Sequence, residues 1–390
     1  MPFAVYALAV AAFAVGTAEF VISGILPLLA DSLEVSIPIA GLLVTAYAIG
    51  VAIGGPLLTV LTARYSQRAV LIGVMLLFAI SQVLCALAPD YGMLLAARLL
   101  SSMAHGAFFG AGNVVVANLV PPERRGGAFS LFIGGITVAN LLGLPAGTAL
   151  GIAFGWRTTF LAVAVLGALA ALVLIFRLPK SEEIHEARPS LRAQVAELRH
   201  QQVWLSYLTI ALVMVGTLAW GTYQTATMIE VVGIDPENVW LYLLIGGFGA
   251  VLGIYLGGRG TDWKPMPTLI GVLLAQALFY FTMLFAVHDQ VWFTVNLLIS
   301  SILGFAFSTP LQARVIAAAA KAPNLASSLI STAFNVGIAA GAATGAWLLS
   351  SGVSYADIPA VGVVFCLLSA GTASLSWWLE RRPLPVPATD

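Results

Sequence analysis

Long apolar runs alternate with short polar connections along almost the whole chain. The runs fall at roughly 3–30, 39–62, 69–88, 92–119, 126–153, 158–178, 202–229, 239–259, 266–287, 291–314, 324–350 and 356–379. A helix crosses the hydrocarbon core with ~20 mostly apolar residues, and each run is long enough to do so. In lipid the backbone must satisfy itself within helices or a closed barrel. Barrel strands would read as short alternating segments, and these runs are long and continuous. The pattern predicts an all-α membrane protein with twelve transmembrane helices. No Lys or Arg precedes the first run, which exceeds the ~7–15 residues of a signal-peptide core, so it reads as the first membrane helix.

The polar connections then fix an orientation. Twelve crossings put both termini on one side. The connections before helices 3, 5, 7, 9 and 11, together with the C-terminal tail, carry Arg64, Arg68, Arg124, Arg125, Arg177, Lys180, Arg188, Arg192, Arg199, Arg259, Lys264, Arg314, Lys321, Arg381 and Arg382. That is 15 of the 17 basic residues, and a single misplaced helix would scramble the partition. Positive charge stays in the cytoplasm, so both termini are expected there. The longest polar segment separates two six-helix halves: a bundle over 1–178, a linker over 179–201 that could carry a short amphipathic surface helix, a bundle over 202–380, and a tail over 381–390.

Composition supports this picture. The chain is 60% hydrophobic and 9% charged, with mean hydropathy +0.99, against about 25% charged residues in soluble domains. A net charge of zero argues against nucleic acid as a partner. Cys85 and Cys366 lie inside apolar runs and read as small core residues rather than a disulfide or metal site.

The connections after helices 2 and 8 carry parts of one pattern, G-x-L-x-D-R-x-G-R-R. TVLTARYSQR (59–68) supplies Leu61, Arg64 and Arg68 but has Ala63 at the acidic position. GRGTDWKP (258–265) supplies Gly258 and Asp262 but has Trp263 where arginine is expected. Thr59 and Gly258 stand 199 residues apart, close to half the chain, as expected of two related halves with a site between them.

With GTAEFVISGILP (16–27), AGLLVTAYAIGVAIGGPLLTVLTAR (40–64), HGAFFG (105–110), GLPAGTALG (143–151), GWRTTF (155–160) and FNVGIAAGAATG (334–345), the chain resembles the major facilitator superfamily over nearly its whole length. Within it, the chain is similar to the twelve-helix drug/proton antiporters, in the branch of arabinose-efflux permeases and chloramphenicol exporters. The resemblance implies two pseudo-symmetric six-helix bundles, a monomeric carrier in the bacterial inner membrane, protons as coupling ion with no other cofactor, and efflux of small molecules. The missing acid at Ala63 departs from the superfamily's cytoplasmic signature and leaves Arg64 and Arg68 to find other gating partners.

One acid lies deep in a helix. Glu19 is about 11 residues from the outer end of the first run, ~16 Å deep at 1.5 Å per residue. By the same rise Arg98 lies ~9 Å and His105 ~20 Å deep on helix 4, so the acid falls between two bases. A charge at mid-bilayer costs at least ~2.5–3.5 kcal/mol, so it must pair, face a cavity or take up a proton. Burial and a nearby cation shift a carboxyl in opposite directions, so alternating exposure suits Glu19 to proton carriage. His105 titrates near neutrality when unperturbed. Arg98 matches the family's helix-4 arginine, although SSMAHG replaces the usual Gln-Gly pair. The structural alternative is a fixed pair that locks helix 1 to helix 4.

Gly143, Gly147 and Gly151 recur at spacing four, which allows close helix approach, and Pro145 can kink helix 5. GLPAG resembles the antiporter signature and favours export. Candidate substrate contacts are Phe109, Asn113, Trp220, Tyr223, Gln224, Asn296, Ser300 and Asn335. They are mostly neutral or aromatic, as suits a neutral or amphiphilic molecule. Sugar or metabolite export by the same cycle is the nearer alternative, and a membrane sensor or scaffold the remoter one. No clustered catalytic groups point to an enzyme, and no G-x-x-x-x-G-K-[ST] is present.

Overall fold

Twelve helices of membrane-spanning length and hydropathy follow one another in chain order among the described residues. The computed structural model describes residues 1–62, 64–178, 201–318 and 323–381. Linker residues 179–200 with their possible surface helix, Ala63, and tail residues 382–390 lie outside that set. The helices are α1 (Phe3–Ser32), α2 (Ile37–Leu61), α3 (Gln67–Leu87), α4 (Tyr91–Leu119), α5 (Arg125–Phe154), α6 (Trp156–Arg177), α7 (Gln201–Glu230), α8 (Val239–Trp263), α9 (Pro265–Ala286), α10 (Gln290–Val315), α11 (Pro323–Ser350) and α12 (Pro359–Glu380).

Local chemistry sets their ends. Ser36 and Ser66 cap α2 and α3 by accepting from the amides of Ile39 and Ala69. Asp90 and Asp289 cap α4 and α10 in the same way, at 2.9 Å from the amides of Met93 and Trp292. Each cap satisfies a donor that the helix itself leaves orphaned. Gly155, at φ 86°, makes the sharp turn between α5 and α6 in a region that glycine alone enters freely. Helix α5 is not uniform: Ala139–Gly143 is a π-helical turn between Arg125–Val138 and Leu144–Phe154. Pro145, which has no N–H to donate, stands two residues past the end of that turn. Helix α7 breaks at Thr222–Tyr223.

In lipid, helices associate through close packing at small residues, and two families of glycine seams hold each half together. On α5, a side chain at Gly143, Gly147 or Gly151 would run into Thr17, Val21 or Ile25 of α1. On α11, a side chain at Gly337, Gly341 or Gly345 would run into Ala211, Val215 or Ala219 of α7. The second set repeats the first residue for residue at an offset of 194. Gly50 and Gly54 of α2 face Ser102 and Met103 of α4, while Gly249 and Gly253 of α8 face Ser301 and Ile302 of α10. Here the offset is 199, the separation of Thr59 from Gly258. The two halves therefore share internal register as well as helix count.

The halves meet on the side away from the termini. A buried apolar cluster joins Leu26, Ala40, Leu43 and Val44 of the first half to Tyr223, Ala342 and Ala346 of the second. The Tyr223 ring lies against Gly41 and Gly345, and its hydroxyl donates to the Ala342 carbonyl at 2.9 Å. Gly247 of α8 fits against the backbone of Leu141 at the π turn. On the terminus side, α4, the Arg125–Val138 segment of α5 and the helical stretch Ser308–Ala318, which continues α10 past its apolar span, make no extensive packing across the halves among the described residues. Leu57, Val60 and Leu61 at that end of α2 are exposed.

Gly106→Ala would place its Cβ 2.6 Å from the Gly55 Cα, backbone against backbone. Overpacking of this kind costs about 1–3 kcal/mol. Thermal unfolding of detergent-purified protein should show a clear loss for Gly106→Ala and none for Gly73→Ala, where nothing lies within 4 Å.

Candidate functional site

Three helices of the first half build a buried polar cluster. Arg98 of α4 is completely buried. Its Nη1 donates to the Ala18 carbonyl of α1 at 2.6 Å, and its guanidinium lies 4.0 Å from the centroid of the Tyr47 ring on α2. A desolvated cation over an aromatic face gains about 2 kcal/mol or more. Nε and Nη2 of Arg98 have no partner among the described residues. The Tyr47 hydroxyl and His105 Nδ1 are 3.1 Å apart, with the donor set by the imidazole tautomer. His105 also lies against Phe109, ring centroids 5.2 Å apart. Deeper in the half, Gln82 donates to Ser101 at 2.7 Å.

Glu19 follows Ala18, so the carbonyl gripped by Arg98 belongs to the residue before the acid. The Glu19 side chain is half-buried. It makes no hydrogen bond and no ion pair within 4 Å among the described residues, and its oxygens are not among the sealed, unpartnered polar atoms. Arg98 is the cation whose field acts on it. The site thus holds an acid without a hydrogen bond or ion pair, and a guanidinium with two unpartnered nitrogens, whose charge acts on that acid.

Glu19 shares a helix face with Ser23, one turn on, and Ser23 and Phe20 line a cavity of about 180 Å3 between the halves. Asn140 and Leu144, at and beside the π turn of α5, complete the first half's share. Helices α7 to α10 supply the rest, including Thr217, Trp220, Gln224, Tyr242, Tyr280, Ser300 and Ser301. No lining residue carries a formal charge.

Of the sequence candidates, Glu19, Arg98 and His105 are brought into one cluster, and Trp220, Gln224 and Ser300 into the cavity wall. Tyr223 sits instead in the seam that closes the halves, and Asn296 is engaged by Thr282 and Ser300. Asn335 donates to Ser331 at 2.9 Å within its own helix. Phe109 and the exposed Asn113 continue the His105 side of α4 towards the terminus side. Among the gating candidates, Arg68 ties α3 to the end of α6 through the carbonyls of Ile175 and Leu178. Arg64 lies over Tyr65, and Asp262 is exposed while Gly258 has open space around it. Gly143 and Gly147 belong to the α1–α5 seam, and buried Pro145 lies between them in the chain. Sequence reasoning did not single out Tyr47, Gln276 or Tyr280. Tyr47 carried a signal, since it precedes Gly50 and Gly54 by three and seven residues on the face that α4 approaches.

The model of the Major Facilitator Superfamily matches residues 8–342. The chain belongs to the major facilitator superfamily. It is 38% identical to the inner membrane transport protein YdhP of Escherichia coli (strain K12) over 97% of this chain and 96% of that one. It is 33% identical to a chloramphenicol resistance protein of Streptomyces lividans, covering 87% and 88% of the two chains. A bacterial homolog of the human lysosomal transporter Spinster, solved in an inward-facing and unoccupied conformation, shares the superfamily fold: TM-score 0.77 and 17% identity over 98% of each chain. As a superfamily member the protein is a multi-pass membrane transporter.

The Tyr223 seam is testable as a gate. Cys85 and Cys366 are both buried, so a Ser23→Cys reporter should label with little background. An impermeant maleimide applied from the side opposite the termini should label it poorly in wild type. Adding Gly41→Leu, whose side chain collides with the Tyr223 ring, should raise labelling several-fold.

Proposed function

We propose that this transporter exports a small, uncharged or amphiphilic molecule in exchange for protons, with Glu19 as the proton carrier. The observation that carries the reading is the half-buried, unpaired Glu19 carboxylate beside the incompletely satisfied Arg98, on the same helix face as the cavity-lining Ser23. A fixed structural pair would close the carboxylate onto the guanidinium. Here both partners keep spare hydrogen-bonding capacity.

The cycle follows from charge. A deprotonated Glu19 is drawn to the free Nε and Nη2 donors of Arg98. A proton on Glu19 removes that attraction and frees α1 to shift against α4. Tyr47 and His105 hold the Arg98 side of the pair, so the change falls on α1, whose face reaches the cavity. With the basic connections in the cytoplasm, both termini lie there, and the state described here is closed outside and open inside. Substrate then loads from the cytoplasm as Glu19 releases its proton, and outward exposure returns a proton. The Streptomyces relative, a chloramphenicol resistance protein, supports an export direction and a drug-like cargo.

The test uses proteoliposomes loaded with a pH dye and supplied with chloramphenicol. Wild type should show compound-dependent proton flux. Glu19→Gln should fall to the level of empty liposomes while keeping downhill exchange of the compound. Compound movement without proton flux, or full coupling in Glu19→Gln, would refute the reading.

A further inference from the structure

Two carboxamides line the cavity, one from each half, and both are idle. Asn140 lies in the π turn of α5, and Gln224 opens the short helix that follows the break in α7. π turns recur at functional sites. Both residues are half-buried. Neither side chain makes a hydrogen bond among the described residues, and none of their amide atoms is among the sealed, unpartnered polar atoms. Their hydrogen-bonding capacity is therefore both unused and open.

Helix geometry aims the two at one space. On α5, Gly135, Ala139, Gly143 and Gly147 recur at spacing four and meet α1. Asn140 follows Ala139, so it is turned roughly a quarter of the way round the helix from that seam. Leu144, four residues on, shares the face of Asn140. Leu144 packs with buried apolar residues of the second half and lines the same cavity. On α7, Thr217, Trp220 and Gln224 stand at spacings of three and four, again one face, and all three line the cavity. Thr217 donates within its own helix to Val213, and the Trp220 nitrogen is sealed. Gln224 is thus the open polar group of that face.

We infer that Asn140 and Gln224 are the specificity-determining pair of this cavity, and that its cargo is an uncharged, single-ring molecule whose hydroxyl-bearing arm they hold between the two halves. This rests on the reading of the protein as a carrier of small uncharged molecules. Each wall amide offers a carbonyl that accepts and an NH2 that donates. A hydroxyl is the smallest uncharged group that can donate to one of them while accepting from the other. An ether accepts only and leaves an amide carbonyl unmet, and a site built to bond a hydroxyl rejects the analogue without one for that reason. Size points the same way. A cavity of about 150 Å3 holds benzene, so about 180 Å3 suits one ring with a short arm.

The probes are 3-phenylpropan-1-ol and 2-phenylethyl methyl ether, isomers that differ in whether the arm carries a donor. Each is titrated by saturation-transfer NMR into purified full-length protein, against protein-free micelles and without any ion gradient. Wild type should prefer the alcohol by about tenfold, the scale of one net hydrogen bond. Asn140→Leu and Gln224→Met should each cut the preference to about threefold, and the double variant should abolish it. Unfolding temperatures should stay at the wild-type value, since neither amide has a partner to lose. Glu19→Gln should keep the tenfold preference. The inference is overturned if neither probe binds wild type, if either single variant keeps the full preference, or if the variants weaken both probes equally, which is a packing role alone. Loss of the preference in Glu19→Gln would overturn it too, because the acid would then be reading the arm. The assay involves no proton movement, so a preference that survives the amide variants would leave the proton reading standing. A failed proton-flux experiment would likewise leave this inference standing.

Discussion

Helices in a bilayer gain little from hiding apolar surface from one another, since the lipid is as apolar as they are; they gain from approaching closely. That constraint organises this molecule. Glycines at spacing four bring α5 onto α1 and α11 onto α7, and a second set brings α2 onto α4 and α8 onto α10. The first consequence is architectural, because each seam fixes the rotation and depth of its helices. The second is chemical. Tyr47 reaches the Arg98 guanidinium and His105 only because Gly50 and Gly54, on the same side of α2, let α4 come close.

The same seams make the asymmetry of the two halves readable. A conserved register with different side chains in it gives two versions of one place. In the first half that place holds a cation on an aromatic ring, a tyrosine–histidine pair and, one helix away, an unpaired carboxylate. In the second, 199 residues further on, it holds Gly246, Leu297 and Gly304, which line the cavity. A cation buried in the first half needs aromatic and carbonyl partners, and their bulk excludes a guest. The second half carries no such charge and has room for one. Handling of charge and handling of cargo can therefore occupy matching positions in opposite halves while sharing α1, which touches both through Glu19 and Ser23.

The junction between the halves also follows from local chemistry. Pro145 follows a π turn in α5, and Gly247 docks on the backbone of that turn. Tyr223 sits at the break in α7 and fits a hollow between Gly41 and Gly345. These contacts pair one bulky group or one irregular turn with glycine across the interface. Such surfaces can part and re-form as units without repacking either bundle.

The twelve spans, the division into halves and the presence of one deep acid were legible in the sequence because they depend on local quantities: run length, charge count and the cost of a carboxylate in hydrocarbon. Even the offset of 199 between Thr59 and Gly258 was visible there. The partners of those residues were not. Nothing in AYAIG states that Tyr47 carries the Arg98 guanidinium on its ring, since that depends on how far two helices rotate about a glycine seam. Tyr223 read as a cargo contact by its aromatic character, and only the fold shows its ring in the hollow between Gly41 and Gly345. Chain-local energies decided which segments enter the membrane; the close approach of distant segments decided which polar groups within it are satisfied and which are left free to act.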